Sequence, residues 1–205
     1  MPVDHARRVI FIHVPKTGGT TIEALLGLSG RYRSPDTHRL FGLSGTTELQ
    51  HLTAAQLSRI LPPDQFGSYF KFAFVRNPWD RAVSGMLWRA RFARFGIRDM
   101  RDYVDWAEAV NAAGSPKYSD VHALPQHALL TRDGKEISVD RLGRFERFAY
   151  DVREILADFL GNIDELPHCA ASRGRAPYRD YYETQLAERV HKLYIRDIEA
   201  FGYSF

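Results

Sequence analysis

The sequence contains little cysteine and no long apolar run. Cys169 is its single cysteine, which excludes a disulfide within the chain and argues against a cysteine-based metal site. The longest early apolar run, residues 9–14, is too short for a signal-peptide core and far from the roughly 20 residues that span a bilayer. We therefore expect a cytoplasmic protein with no transmembrane segment and no metal.

An excess of charge of one sign is also lacking. The formal net charge is +3 over 205 residues, which is too small to indicate a nucleic-acid partner. Internal repeats, low-complexity segments and linkers are absent. Hydrophobic residues make up 44% of the sequence, which is typical of a packed globule. The composition predicts one domain over residues 1–205.

Hydrophobic patterning predicts an α/β fold. Residues 9–14 and 69–75 are apolar runs typical of buried parallel strands, and one or two short strands are expected within residues 137–145. Amphipathic spacing predicts helices over residues 20–26, 53–61, 79–92, 98–112, 148–160 and 183–201. Alternating strands and helices indicate a central parallel sheet flanked by helices on both faces.

A glycine turn, PKTGGTT at residues 15–21, separates the first predicted strand from the first helix. Ligands of open α/β sheets bind at this end of a strand, where glycines and a helix N-terminus direct N–H groups towards anions. The residues expected to bind phosphate are Lys16, Thr17, Gly18, Gly19, Thr20 and Thr21. The alternative is a tight turn in which the glycines only permit the backbone angles.

The order of residues in this turn differs from a Walker motif, in which the lysine follows the last glycine. Here the lysine comes first, and the turn resembles the P-K-[ST]-G-[GT]-[ST] loop of sulfotransferases that use 3′-phosphoadenosine-5′-phosphosulfate (PAPS). The string FIHVPKTGGTT at residues 11–21 looks like the carbohydrate branch of that family, which includes heparan 2-O and chondroitin types. The resemblance implies a P-loop-like domain with PAPS as co-substrate, its 5′-phosphosulfate held by this turn.

A second motif, FVRNPWDRAVS at residues 74–84, follows the second predicted strand. It is similar to the family's R-[ND]-P-x-[DE]-R-x-x-S element, and the resemblance assigns Arg76 and Ser84 to the 3′-phosphate of PAPS. A guanidinium and a hydroxyl are suitable donors for a dianion. The alternatives are an ion pair of Arg76 with Asp80 and packing of Ser84 on a helix face. Arg81 is a structural candidate.

A third basic segment resembles the S-K-G-R loop that closes over the 3′-phosphate and adenosine in related sulfotransferases. Its residues are Ser172, Arg173, Gly174 and Arg175. The alternative is a solvated basic loop. Tyr178, Tyr181 and Tyr182 follow it, and both stacking on a base and packing in the core remain open for them.

Sulfuryl transfer requires stabilisation of the leaving phosphate and a base for the acceptor hydroxyl. Lys16 is suited to the first role. For the second we choose His51, because a histidine in a similar H-[VL]-[ST] setting is the base in the heparan 2-O branch; the alternative is a histidine that packs near a helix start. His13 is expected to be packed or hydrogen-bonded within its strand.

Two further elements also resemble the carbohydrate branch. Gln126 and His127 resemble a P-Q-[HS] element that is a candidate for shaping the acceptor pocket. Glu146 also recurs in that branch, where a structural ion pair and a catalytic role are equally open. The resemblance to this branch extends over nearly the full length of the sequence, and the two phosphate motifs are its specific part.

The function expected from these motifs is transfer of a sulfuryl group from PAPS to a hydroxyl, with a saccharide as the expected acceptor. Two alternatives stay open. A P-loop kinase-like phosphotransferase would need a Walker lysine and an acidic Mg²⁺ ligand. A non-catalytic nucleotide-binding module would bind the nucleotide without transferring sulfate.

Overall fold

The structure is a computed structural model that describes residues 3–28, 49–113, 118–167 and 174–205. The chain divides into two compact units. We name Met1–Val75 with Ala128–Ala170 the sheet unit, and Arg76–His127 with Ala171–Phe205 the helical unit. The expectation of one domain over residues 1–205 stays a prediction.

The predicted α/β class is confirmed by a four-stranded, mostly parallel sheet with flanking helices. Its strands, in the spatial order β1-β2-β3-β4, are β1 (Val3–Asp4), β2 (Val9–Ile12), β3 (Phe70–Val75) and β4 (Arg141–Arg144). Strands β2, β3 and β4 run parallel, with Phe11 opposite Phe72 and Phe74 opposite Gly143. The antiparallel β1 was not predicted, because two residues carry no readable periodicity.

The described residues form nine α-helices: α1 (Gly19–Leu25), α2 (Ala54–Ile60), α3 (Pro63–Ser68), α4 (Pro78–Arg89), α5 (Met100–Ala112), α6 (Gln126–Leu130), α7 (Phe148–Leu160), α8 (Thr184–Leu193) and α9 (Ile195–Phe201). None of these helices is long and apolar enough to cross a membrane. Short 3-10 turns cover Leu49–His51, Ala93–Phe95, Tyr118–Ala123, Phe145–Arg147 and Tyr178–Tyr181.

Most helix boundaries follow the capping chemistry of the sequence. Asn77 caps α4 by accepting from the N–H groups of Trp79 and Asp80, and Thr53 forms a capping box with Gln56 at α2. One helix was missed and one helix prediction was wrong. Pro63 starts α3 instead of only ending α2, since proline is compatible with the first turn of a helix. The predicted closing helix divides at Tyr194, whose backbone leaves the helical region.

The central strands β2 and β3 are buried on both faces over most of their length. On one face Phe11, Phe72 and Phe74 pack against Ile22 of α1 and Val152 of α7. The side chains on the other face are also buried, namely Ile10, Ile12, Ala73 and Val75. Because β2 and β3 are parallel neighbours, their carboxyl ends lie at the same edge of the sheet. Each of these ends leads into one of the two motifs that are expected to bind phosphate.

The helical unit has a core of its own. Trp79, Val83 and Met86 of α4 are buried together with Tyr103 of α5 and Val190 of α8. Gly85 permits close contact between α4 and α5, because a β-carbon there would lie 2.5 Å from the Tyr103 hydroxyl oxygen. This core holds α4, the helix that carries the second motif.

Candidate active site

The turn after β2 contains two left-handed backbone positions. Lys16 has a φ of 71° and Gly18 a φ of 84°, while Thr17 between them does not have a positive φ. A left-handed residue with a side chain costs about 1–3 kcal/mol and is common at functional sites. Alternation of this kind turns successive main-chain N–H groups towards one concavity, an arrangement that suits an anion. The conformation of Lys16 thus favours phosphate binding.

The two glycines of the turn are also required by packing. A β-carbon on Gly18 would lie 2.6 Å from Cε2 of Phe148, and one on Gly19 would lie 2.1 Å from Nε2 of His13. Both distances are far below van der Waals contact. Packing by itself therefore explains why glycine occupies both positions, as the alternative of a structural tight turn requires. The glycines alone do not indicate a ligand.

The threonine hydroxyls of the turn face different ways. Thr17 is buried and its Oγ1 donates to the carbonyl oxygen of Val14 at 2.8 Å, while Thr21 Oγ1 donates to the carbonyl oxygen of Pro167 at 3.1 Å. Thr20 is exposed and Lys16 is half-buried. The hydroxyl hydrogens of Thr17 and Thr21 hold the turn, so Lys16 and Thr20 are the side chains best placed to reach an anion.

His51 ends a 3-10 turn just before α2 and is 9% exposed. Its Nδ1 lies 2.8 Å from the carbonyl oxygen of His13. A carbonyl oxygen can only accept, so Nδ1 carries the proton and the lone pair of the neutral imidazole is on Nε2. This tautomer presents a basic nitrogen at the far side of the ring, as a general base requires.

His13 is packed and hydrogen-bonded, as predicted from its place in the sequence. It is buried, and its Nδ1 lies 2.7 Å from Oε1 of the buried Glu23. The carboxylate oxygen accepts and Nδ1 donates. Sequence reasoning missed Glu23, because an acidic residue in the apolar spacing of α1 resembles an exposed position.

In the helical unit, Arg76 directly follows β3 and belongs to a cluster with two arginines. Nε of Arg76 donates to Oδ2 of Asp80 at 2.8 Å, and Nη2 of Arg175 donates to Oδ1 of the same carboxylate. The alternative of an ion pair between Arg76 and Asp80 is therefore present, and the pair is buried. Two guanidinium groups share one carboxylate, so these three side chains keep one net positive charge.

Arg175 has a second feature that suits an anion. Its Nη1 is buried and has no hydrogen-bond partner among the residues that the structure describes. A buried donor without a partner costs about 1–3 kcal/mol, so a group that accepts from it would bind favourably. Ser84, also buried, lies on α4 one helical turn beyond Asp80. These residues fit the phosphate that the second motif implies.

Gln126 is a residue whose placement the sequence did not reveal. Its Oε1 accepts from the N–H of Arg76 at 2.9 Å, and its Nε2 donates to the carbonyl oxygen of Arg76 at 2.8 Å. Both ends of the amide are thus used to fix the main chain of Arg76. The amide is fully buried, which favours this positioning role over contact with an acceptor.

The carboxylate of Asp197 holds the start of α6 in turn. It accepts from the N–H groups of Gln126 and His127, both at 2.8 Å. Burial raises the pKa of Asp197, and the nearby Arg81 and these N–H groups oppose the rise. Arg81 is structural, as expected, because its Nη2 donates to the carbonyl oxygen of Leu124 at 2.8 Å.

The other predicted residues have varied placements. Ser172 and Arg173 lie outside the described residues, whereas Gly174 and Arg175 lie within them. The rings of Tyr178, Tyr181 and Tyr182 pack against the core of the helical unit. Glu146 lies exposed in the 3-10 turn Phe145–Arg147. Within the described ranges, no three His, Cys, Asp or Glu side chains come together as a metal site would require.

Comparison with known proteins adds three findings. A family model described as the sulfotransferase family matches residues 1–204. An uncharacterized protein of the archaeon Archaeoglobus fulgidus is 30% identical over 101 residues, which cover 49% of this chain and 75% of the relative. No solved structure gives a significant match.

Proposed function

This chain belongs to the sulfotransferase family, and from that premise we propose that it transfers a sulfuryl group from PAPS to a hydroxyl of a saccharide or glycoconjugate. Transfer of a sulfuryl group follows from the family. The donor, the acceptor class and the residue roles below are the proposal. A cytoplasmic location stays a prediction from the sequence.

One observation carries the choice of a 3′-phosphorylated donor. Arg175 has a buried Nη1 without a partner in the described residues, and it shares Asp80 with the motif residue Arg76. A nucleotide that lacks a 3′-phosphate would leave the N–H donor at Nη1 of Arg175 without an acceptor. We assign Arg76, Ser84, Gly174 and Arg175 to the 3′-phosphate, together with Ser172 and Arg173 by resemblance alone.

The 5′-phosphosulfate is assigned to the turn at residues 15–21. The main-chain N–H groups of Thr17, Gly18 and Gly19 would contact its oxygens, with Thr20 and Thr21 at the end of the turn. The left-handed conformation of Lys16 supports this assignment, as does the half-buried position of its side chain. A preformed set of N–H donors stabilises charge without reorganisation during the reaction.

The reaction requires one bond to form and one to break at sulfur. The acceptor oxygen forms the new S–O bond, and the bond between sulfur and the bridging oxygen of the 5′-phosphate breaks. The electron pair stays on that oxygen, where Lys16 stabilises the negative charge, and the product is adenosine 3′,5′-bisphosphate. The hydroxyl proton passes to Nε2 of His51, the nitrogen that carries the lone pair.

Binding measurements test the donor first. Calorimetry should give adenosine 3′,5′-bisphosphate an affinity about 10-fold to 100-fold higher than adenosine 5′-phosphate, because hydrogen bonds to charged groups contribute about 1.5–3 kcal/mol. Equal affinities would remove the 3′-phosphate assignment. A preference for ATP with Mg²⁺ over the bisphosphate would favour the kinase-like alternative.

Transfer from ³⁵S-labelled PAPS then tests the acceptor class. Sugars, glycolipids and small alcohols are offered in parallel, and labelled product is expected with a saccharide. Product only with a non-sugar alcohol would keep the sulfotransferase and overturn the saccharide. Tight binding of bisphosphate with no transfer to any acceptor would favour the non-catalytic module.

A further inference from the structure

A buried carboxylate in the sheet unit contacts the residues that surround the candidate base. Glu23 lies on α1 with 0% of its surface exposed. Its Oε1 accepts from Nδ1 of His13 at 2.7 Å, and its Oε2 accepts from Nε2 of Gln50 at 2.8 Å. Glu23 thereby connects α1, the end of β2 and the residue that directly precedes His51.

A carboxylate at this depth is not explained by stability. Removal of a carboxylate from water costs several kcal/mol, and well-packed apolar residues often replace a buried ion pair without loss of stability. The neighbouring Ile22 and Leu26 of the same helix are apolar and fully buried. A charged group at position 23 therefore suggests a task beyond packing.

His13 and Gln50, which both contact Glu23, also fix the His51 ring. The main-chain carbonyl oxygen of His13 accepts from Nδ1 of His51, and the two imidazole rings meet edge to face with centroids 4.5 Å apart. Gln50 is covalently joined to His51 and lies in the same 3-10 turn. A shift of either partner would move the imidazole or release its Nδ1 proton.

The same His13 ring also supports the phosphate turn. Its Nε2 lies against the main chain of Gly19, so closely that a β-carbon there would come within 2.1 Å. Glu23 fixes the rotation of this ring through Nδ1. The carboxylate of Glu23 therefore fixes the His13 ring that packs against the turn, and it also helps to orient the candidate base.

We propose that Glu23 is a positioning residue for sulfuryl transfer, which acts through His13 and Gln50 to hold His51 with its proton on Nδ1 and its lone pair on Nε2. This inference rests on the proposed function, because it takes His51 as the base. Glu23 itself does not contact the reacting atoms; its effect is to fix the tautomer and place of the imidazole.

The kinetic test uses Gln50→Ala with Gln56→Ala as the matched control. Gln50→Ala removes one hydrogen bond to Glu23. Gln56→Ala removes the capping hydrogen bond that Gln56 Oε1 accepts from the N–H of Thr53 at α2, and leaves Glu23 untouched. We expect Gln50→Ala to lower kcat about 10-fold to 100-fold with an unchanged KM for PAPS, because a misplacement of about 1 Å can cost 10²-fold. Gln56→Ala should lower thermal stability and keep kcat.

Glu23→Gln gives a second, nearly isosteric variant. An amide cannot accept from both His13 and Gln50, so at least one contact must change its donor or break. We expect kcat to fall at least as far as in Gln50→Ala. Wild-type kcat in both variants would overturn the positioning role. If Glu23→Gln fails to fold, Gln50→Ala still decides.

A spectroscopic measurement separates this inference from the proposed function. The ¹⁵N shifts of the His51 ring, assigned with His51→Ala, should report a proton on Nδ1 in the wild type and a mixture of tautomers in Gln50→Ala and Glu23→Gln. A fixed tautomer in all three proteins would contradict the inference even if the wild type transfers sulfate. If the wild type transfers no sulfate, the proposed function fails, yet the same ring shifts still decide whether Glu23 positions His51.

Discussion

The turn at residues 15–21 and the segment that starts at Arg76 are both expected to bind an anion, yet they are built differently. The turn uses main-chain geometry, since Lys16 and Gly18 are left-handed and Thr17 and Thr21 donate to carbonyl oxygens. The second segment uses side chains, because Arg76 and Arg175 are held by Asp80. Anion binding by main-chain N–H groups should therefore depend on how the turn is packed, whereas anion binding by side chains should depend on the charges of those side chains.

This difference suits the two ends of the proposed donor. Charge develops at the 5′ end during the reaction, and preformed N–H donors stabilise such charge most effectively. The 3′-phosphate does not react, so the guanidinium groups there need only bind the nucleotide and fix its position. Substitutions in the first site should therefore change turnover, and substitutions in the second should change binding.

Lys16→Ala is the strongest test of the comparison. Loss of the cation beside the leaving oxygen should lower kcat about 10²-fold to 10³-fold, as loss of one stabilising donor does elsewhere. Affinity for adenosine 3′,5′-bisphosphate should change far less. Lys71→Ala is the control, because Lys71 of β3 pairs with Asp140, the residue directly before β4, outside the candidate site. Unchanged turnover in Lys16→Ala would remove the leaving-group role.

Arg76→Ala probes the side-chain site. We expect weaker binding of adenosine 3′,5′-bisphosphate by about 1.5–3 kcal/mol, because a charged donor to the phosphate is lost. Arg175→Ala should act in the same direction, since it removes the donor that is unpartnered in the described residues. Calorimetry with adenosine 5′-phosphate is the control. Equal losses for both nucleotides would show that neither arginine reads the 3′-phosphate.

Gly19→Ala tests how far the main-chain site depends on packing. The new β-carbon would lie 2.1 Å from the His13 ring, so we expect a loss of about 1–3 kcal/mol in the free energy of unfolding, as overpacked cores show. Gly67→Ala on α3 is the control, because nothing lies within 4 Å of a β-carbon there. Wild-type stability of Gly19→Ala in urea titrations would mean that the turn adapts easily.

The sequence predicted the elements whose signals are local. Strand β3 began one residue after its predicted start, and α7 matched its predicted bounds, because apolar periodicity and the terminal Gly161 mark them. The two-residue β1 and the break at Tyr194 have no such mark. The Pro62-Pro63 pair predicts the end of α2, but the same signal does not show that Pro63 also begins α3.

The candidate site was less predictable for a physical reason. Motifs point to residues that bind ligand, but the contacts that hold those residues join segments far apart in sequence. Gln126 is 50 positions from Arg76, and Gln50 is 27 positions from Glu23. A buried glutamate and an exposed one look alike in a single sequence. Their roles emerge only when the fold brings the partners together.

The smallest expected effect concerns an arginine–aspartate pair outside the candidate site, which gives a baseline for the buried pair of Arg76 and Asp80. Nε of Arg98 lies 2.7 Å from Oδ2 of Asp102, and the arginine side chain is 82% exposed. The side-chain hydrogen bonds from Arg98 lower the pKa of Asp102 to about 2. Exposed pairs of this kind contribute little to stability.

Arg98→Ala should therefore raise the pKa of Asp102 towards its ordinary value of 3.8 and leave nucleotide affinity unchanged. Because the folded pKa is depressed, the contribution of the pair to stability is present above the ordinary pKa and is lost as the pH falls towards 2. The small difference in Tm between wild type and Arg98→Ala should thus shrink over that interval. An NMR titration of the Asp102 carboxyl measures the pKa directly. A variant value that stays near 2 would show that the main-chain N–H groups of residues 98 and 99, rather than the Arg98 guanidinium, hold the carboxylate ionised.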